Sequence, residues 1–169
     1  MNSYRNTILF FVALLSACAA APKPPPPPAK PVRDMLTEIR AVGRNTASAV
    51  EVQPLRDPAI EGFVKQAETF EHQNRPDEAL AELERALKLA PEAPELLQYR
   101  AELELALGRY AEAEANARRS FELGPKVGSL CARNWQTVVE LRYLAKDMPS
   151  VDSAKAHVDQ CEASGPVRM

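Results

Sequence analysis

Residues 107–113 read LGRYAEA, and this stretch lies at the centre of an internal repeat that decides the fold. Positions 34 residues apart carry similar side chains on both sides of it, large apolar with large apolar, small with small, and turn former with turn former. Such a period predicts helical hairpins stacked on one another. The matched pairs are Phe63 with Leu97, Ala67 with Ala101, Asn74 with Gly108, Ala79 with Ala113 and Pro91 with Pro125.

Composition favours an all-α fold. The chain is rich in Ala, Leu and Glu, which are good helix formers, and no alternating strand pattern is found. Asp57 and Pro58 suit the start of a helix, as an N-cap residue followed by a first-turn proline. We therefore expect helices over about 58–73 and 76–90, with the next hairpin 34 residues further on.

The repeated residues resemble the tetratricopeptide (TPR) repeat, a helix–turn–helix unit with small residues where its two helices touch. The resemblance implies a short α-solenoid with two clear repeats; an unrelated bundle of helical hairpins is the alternative. The chain departs from the TPR pattern at three positions: Pro76 replaces an aromatic residue, Glu104 replaces a large apolar residue, and Ala117 is smaller than usual. We expect Leu103 and Leu105 to supply the packing that is lost at Glu104. The counterparts are Phe63, Ala67, Phe70, Asn74, Pro76, Ala79, Leu83, Ala86 and Pro91, then Leu97, Ala101, Glu104, Gly108, Tyr110, Ala113, Ala117, Ser120 and Pro125.

A third, degenerate hairpin is expected after Pro125, because a repeat buries its apolar face only against neighbours. Residues 130–146 read as a helix, and another follows. The spacing predicts a unit with seven extra residues, in which Trp135 takes the slot of Ala67 and Ala101 and pushes the helices apart. The residues that reproduce the spacing of Ala113, Ala117, Ser120 and Pro125 are Ala154, Val158, Cys161 and Pro166.

The N-terminus predicts export and a lipid anchor. Residues 1–17 combine one cation, a short apolar run and small residues, which is the layout of a secretory signal. Residues 15–18, LSAC, resemble the lipobox of bacterial lipoproteins, which implies cleavage before Cys18 and its acylation. Ala19 resembles the pattern that sorts such proteins to the outer membrane, facing the periplasm. The alternative is an ordinary signal peptide with an incidental cysteine.

Residues 18–56 are interpreted as a tether and linker, and residues 57–169 as the helical domain. The proline-rich run before residue 32 favours an extended tether, with a ligand for a recognition domain as the alternative. The apolar positions from Val32 to Val42 share one helical face, and Gly43 is expected to end that helix. Its polar face is not strongly cationic, so docking on the domain is favoured over lying at the membrane interface.

Cys131 and Cys161 remain once Cys18 is assigned to lipid. In an oxidising periplasm two such cysteines favour a disulfide, and the ends of an antiparallel hairpin would bring them together. The alternative is that both are small buried residues.

Catalytic signals are weak. Neither a Gly-rich phosphate loop nor a nucleophile elbow is found, and the two histidines, His72 and His157, have no converging ligands at recognisable spacing. The net charge of −2 does not favour nucleic-acid binding, which usually requires a basic surface. We therefore predict no enzyme, no metal, no cofactor and no small-molecule substrate.

The TPR resemblance implies that the inner face of the first helices holds a peptide. That face would be an acidic groove suited to a basic segment of a protein partner, with Glu68 and Glu102 exposed to solvent. Glutamates that serve only solubility are the alternative for the face. A lipid-anchored adaptor in envelope or secretion-apparatus assembly is the predicted function, and a structural envelope spacer is the alternative. The groove residues are Glu61, Val64, Glu68, Glu71, Glu95, Gln98, Glu102 and Gln136.

Overall fold

The computed structural model describes residues 32–46 and 57–162, and this part of the chain consists of α-helices joined by short turns. Predictions about residues 1–31, 47–56 and 163–169, among them the signal, Cys18 and Pro166, lie outside the described residues. The predicted all-α fold is confirmed. The helices are α1 (Val32–Asn45), α2 (Pro58–His72), α3 (Pro76–Leu89), α4 (Pro94–Ala106), α5 (Tyr110–Leu123), α6 (Ser129–Leu144) and α7 (Met148–Gln160).

Helices α2 to α7 form three hairpins stacked in sequence order. Within each hairpin, α2 packs on α3, α4 on α5 and α6 on α7, and α3–α4 and α5–α6 contacts join one hairpin to the next. Ala67 and Ala79 are fully buried in the first hairpin, as are Ala101 and Ala113 in the second. Small side chains at these positions let two helix backbones approach closely, so the predicted solenoid follows from the alanine pattern.

The three hairpin turns share one backbone pattern, which defines the register of the repeats. Asn74, Gly108 and Lys146 each have a positive φ. In each turn the next residue's N–H donates to the carbonyl five positions earlier, from Arg75 at 2.9 Å, Arg109 at 2.8 Å and Asp147 at 3.0 Å. The turns are therefore 34 residues apart and then 38 apart, so the third repeat has four extra residues rather than seven.

This register corrects the predicted place of Trp135. The residue seven positions before the turn is Val139, which therefore occupies the slot of Ala67 and Ala101, and Val151 occupies the slot assigned to Ala154. The predicted register was wrong because Lys146 adopts the left-handed conformation although it is neither glycine nor asparagine. The sequence therefore contains no turn signal at this position. Trp135 instead lies one turn earlier, stacked on His157 with ring centroids 4.0 Å apart.

Glu104 is 2% exposed although it occupies an apolar position of the repeat. Its carboxylate accepts hydrogen bonds from Nε of Arg100 at 2.8 Å and from Nδ2 of Asn116 at 2.7 Å. Leu103 and Leu105 on either side are buried, as expected from the sequence. A buried carboxylate is tolerated here because both of its oxygens have donors.

A disulfide joins Cys131 of α6 to Cys161, with 5.6 Å between the Cα atoms. Cys161 caps the C-terminus of α7 and is fully buried, with Phe121, Trp135 and Val42 packed around the pair. The bridge covalently fastens the last helix, which has only one neighbouring helix among the described elements.

Helix α1 packs against α6 and α4, so the docked alternative is the one observed. The prediction that Gly43 ends this helix is wrong, because α1 continues to Asn45. Gly43 is instead required by packing: a Cβ atom there would lie 2.5 Å from Cγ of Arg133. The glycine therefore permits close contact between α1 and α6.

Candidate functional site

The face formed by α2, α4 and α6 holds helix α1 as a bound segment. Arg40 of α1 donates from Nε to Oε2 of Glu102 on α4 at 2.8 Å. It also donates from Nη2 to Oε1 of Glu71 on α2 at 2.7 Å. One guanidinium group therefore links α1 to two different repeats.

Apolar contacts surround this polar link. Met35 and Ile39 of α1 are 1% and 0% exposed. They share a buried cluster with Leu105 of α4 and Leu141 of α6. Helix α1 thus contributes both an apolar face and a charge to the site, which is how an amphipathic helix occupies a groove.

Glu102 is the centre of the polar network. Its side chain is fully buried, and its Oε1 accepts hydrogen bonds from Nε of Arg133 at 2.9 Å and from Nε2 of Gln98 at 3.1 Å. Burial by itself raises the pKa of this carboxyl, but the guanidinium groups of Arg133 and Arg40 outweigh it and hold the pKa below its usual range. Glu102 is therefore a charged, fully paired group in the interior.

Glu71 forms the second half of the site. Its Oε2 accepts a hydrogen bond from the hydroxyl of Tyr99 at 3.0 Å, while Oε1 accepts from Arg40. Burial and the neighbouring Glu71 carboxylate raise the pKa of Tyr99, so the hydroxyl keeps its proton and remains a donor. Burial lowers the pKa of Arg40, but Glu102 and Glu71 raise it by more, so the guanidinium stays charged.

The predicted groove residues fall into separate environments. The structure brings Glu71, Gln98 and Glu102 together around Arg40. The expectation that Glu102 faces solvent is wrong, because α1 and Arg133 cover it. The remaining residues are Val64, buried in the core between α2 and its neighbours; Glu61 and Glu68, both exposed; Glu95, half-buried; and Gln136, bonded to Glu140.

Three residues of the site escaped the sequence reasoning. Arg40 belongs to the polar face of the amphipathic segment from Val32 to Val42, and no sequence pattern marks it, Arg133 or Tyr99 as part of a site. Charge complementarity could have predicted the role of Arg40, because this arginine adjoins the apolar face of an amphipathic segment and the predicted groove is acidic. Arg133 had no signal of its own, because its role depends on the fold that brings α6 beside α4.

Within the described ranges, 32–46 and 57–162, no group of three or more His, Cys, Asp or Glu side chains could hold a metal ion. No helix in those ranges is long and apolar enough to cross a membrane. A cavity of about 230 Å³ lies between α5 and α6, with Phe121, Asn134 and Trp135 in its lining.

Comparison with known families supports the repeat architecture. The family model described as tetratricopeptide repeat matches residues 72–120, which contain α3, α4 and most of α5. Residues 72–120 therefore carry the tetratricopeptide repeat. This match and the observed hairpins confirm the resemblance drawn from the repeated residues.

A solved structure resembles this chain over its helical part. It is the globular C-terminal domain of LpoP from P. aeruginosa, with a TM-score of 0.58 and 27% sequence identity. The alignment covers 62% of this chain and 99% of that domain. A search of curated proteins gave no match. Nearly the whole length of the LpoP domain therefore aligns with this chain.

Proposed function

We propose that this TPR protein is a lipid-anchored periplasmic adaptor, which binds partner proteins in envelope or secretion-apparatus assembly. The observation that carries the proposal is the seating of α1 on the face formed by α2, α4 and α6. A face that accepts one amphipathic helix through apolar anchors and an arginine has the chemistry to bind a helical segment. The partner class is therefore a protein with a basic, amphipathic segment.

The proposed location is the periplasmic side of the outer membrane. It is supported by the signal layout of residues 1–17, by Cys18 in the lipobox and by Ala19 after it. The likeness to a C-terminal domain of LpoP agrees with an arrangement in which the helical domain follows an N-terminal anchor and tether. Residues 18–56 and 57–169 would then divide into tether and binding domain, with α1 bridging the two.

The anchor is tested on the chain expressed in a bacterial host. Mass spectrometry of the mature protein should find Cys18 as the acylated N-terminal residue, and Cys18→Ser should abolish acylation and release the chain from the membrane fraction. A mature N-terminus at another residue, without lipid, would contradict the proposed localisation.

The adaptor role is tested by crosslinking in intact envelopes followed by pull-down. Glu68→Lys reverses an exposed charge on α2, so it should weaken capture of a basic partner and leave the helices folded. Glu112→Lys makes the same change at an exposed residue of α5 and serves as the matched control. Capture of a defined partner by wild type and control, but less by Glu68→Lys, supports the adaptor. Absence of any defined partner would favour the spacer.

A further inference from the structure

The acidic site for Arg40 is held in place by residues outside α1. Arg133 and Gln98 both bond Oε1 of Glu102, and Arg40 bonds the other oxygen. Likewise the Tyr99 hydroxyl bonds one oxygen of Glu71 and Arg40 bonds the other. Removing Arg40 therefore leaves each carboxylate with a partner, and the site keeps its shape for another guanidinium.

Helix α1 displays a simple spacing of contact residues. Met35 and Ile39 are four residues apart and completely buried, and Arg40 follows the second of them directly. Gly43 comes three residues after the arginine, where any Cβ atom would meet the side chain of Arg133. Two apolar side chains, an arginine and a small residue at these intervals are what the groove recognises.

Helix α1 is also attached to the domain in a way that permits exchange. Ten residues, 47–56, separate the last described residue of this segment from Asp57. Arg40 keeps 34% of its side chain exposed, so water and competing ions reach the link. Among residues 35–46, Met35 and Ile39 are the large side chains that α1 buries fully.

We propose that α1 is an internal competitor, which occupies the groove until a partner helix with the same spacing displaces it. The ligand is a helical protein segment with two apolar residues four apart, an arginine directly after the second, and a small residue three positions later. This inference rests on the proposed adaptor function and names its partner class and its regulation. Because α1 is tethered, it competes at an effective concentration in the millimolar range.

The test uses the full chain in detergent and a fluorescent peptide of residues 32–46 as the probe. A double variant, Ile39→Asp with Arg40→Glu, should release α1, since it places carboxylates in an apolar cluster and beside Glu102. The peptide should bind this variant at least about tenfold more tightly than it binds wild type, because the internal competitor is gone. A control peptide with Gly43→Leu should not bind, because its side chain would clash with Arg133.

Equal peptide affinity for wild type and a folded double variant would overturn the proposal. Hydrogen exchange on the unaltered chain gives a second measurement that does not depend on the variant's folding. Amides of α1 should exchange faster than those of α4 and α6, and equal protection would overturn the proposal as well. Peptide binding does not require a cellular partner, so an envelope pull-down without a partner would contradict the adaptor function alone.

Discussion

Arg40 and Glu102 form an ion pair between residues 62 positions apart in the sequence, with 2.8 Å between Nε and Oε2. The pair fastens the N-terminal helix to the middle of the solenoid. Because Glu102 is fully buried, its charge is stabilised only while donors surround it, and Arg133 supplies the second one. The electrostatics of the groove therefore depend on this carboxylate.

Glu102→Ala should lower the free energy of unfolding by about 1–3 kcal/mol, because it removes the carboxylate that pairs with Arg133 and leaves Arg40 with Glu71 alone. Urea denaturation followed by circular dichroism measures this. The control Glu68→Ala removes an exposed carboxylate and should change stability by less than about 0.5 kcal/mol. Similar small changes for both variants would show that Glu102 is not the centre of the network.

The stabilising effect of Glu102 should be lost in acid. The pKa of this carboxyl is lower in the folded protein than its ordinary value, so its contribution is complete above about pH 4.3 and disappears as the pH falls through the folded pKa. Denaturation of wild type and Glu102→Gln at a series of pH values from 7 to 3 tests this. The advantage of wild type should shrink at the acid end, and a constant difference would contradict the prediction.

Two glycines in helices should respond oppositely to alanine. Gly43→Ala should destabilise α1 docking by about 1–3 kcal/mol, because the new Cβ would lie 2.5 Å from Cγ of Arg133, whose guanidinium is held by Glu102. Gly62→Ala meets nothing within 4 Å and should stabilise α2 by about 0.5–1 kcal/mol. Melting temperatures and hydrogen exchange of α1 distinguish the two; a gain in stability for both would contradict the tight contact.

The Cys131–Cys161 bridge should be found by mass mapping without reductant. Replacing both cysteines by serine should lower the free energy of unfolding by roughly 3 kcal/mol, because the bridge closes a loop with a sequence separation of 30. Exchange should rise most in α7, since the bridge holds the C-terminal end of that helix. Free thiols in protein isolated from the periplasm would refute the prediction.

Ala101→Leu should destabilise the second hairpin by about 1–3 kcal/mol, because Ala101 and Ala113 are fully buried where α4 meets α5. Thermal denaturation measures the effect, and Ala115→Leu on the exposed side of α5 is the matched control. An unchanged melting temperature for Ala101→Leu would show that Ala101 does not lie at the contact between the two helices, and the repeat register would then be wrong.

The sequence by itself determined the repeats, because a hairpin depends on residues close together in the chain. Ala67 with Ala79 and Ala101 with Ala113 lie 12 residues apart in each case, and the turns at Asn74 and Gly108 use residues that favour a positive φ. The register of the third hairpin was wrong for the same reason, since Lys146 carries no such preference. The positive φ of Lys146 and the hydrogen bond from Asp147 to Arg142 reveal the turn only in the folded chain.

Only the tertiary structure decided what the inner face contains. Local spacing placed Glu102 on the groove side of its helix, but it could not show that Arg40 and Arg133 would arrive from other helices and bury it. It assigned Gly43 to a helix end, while packing against Arg133 is what requires a glycine there. Burial, ion pairing and close contact between distant segments are properties of the assembled helices, and a periodic pattern within one hairpin contains no information about them.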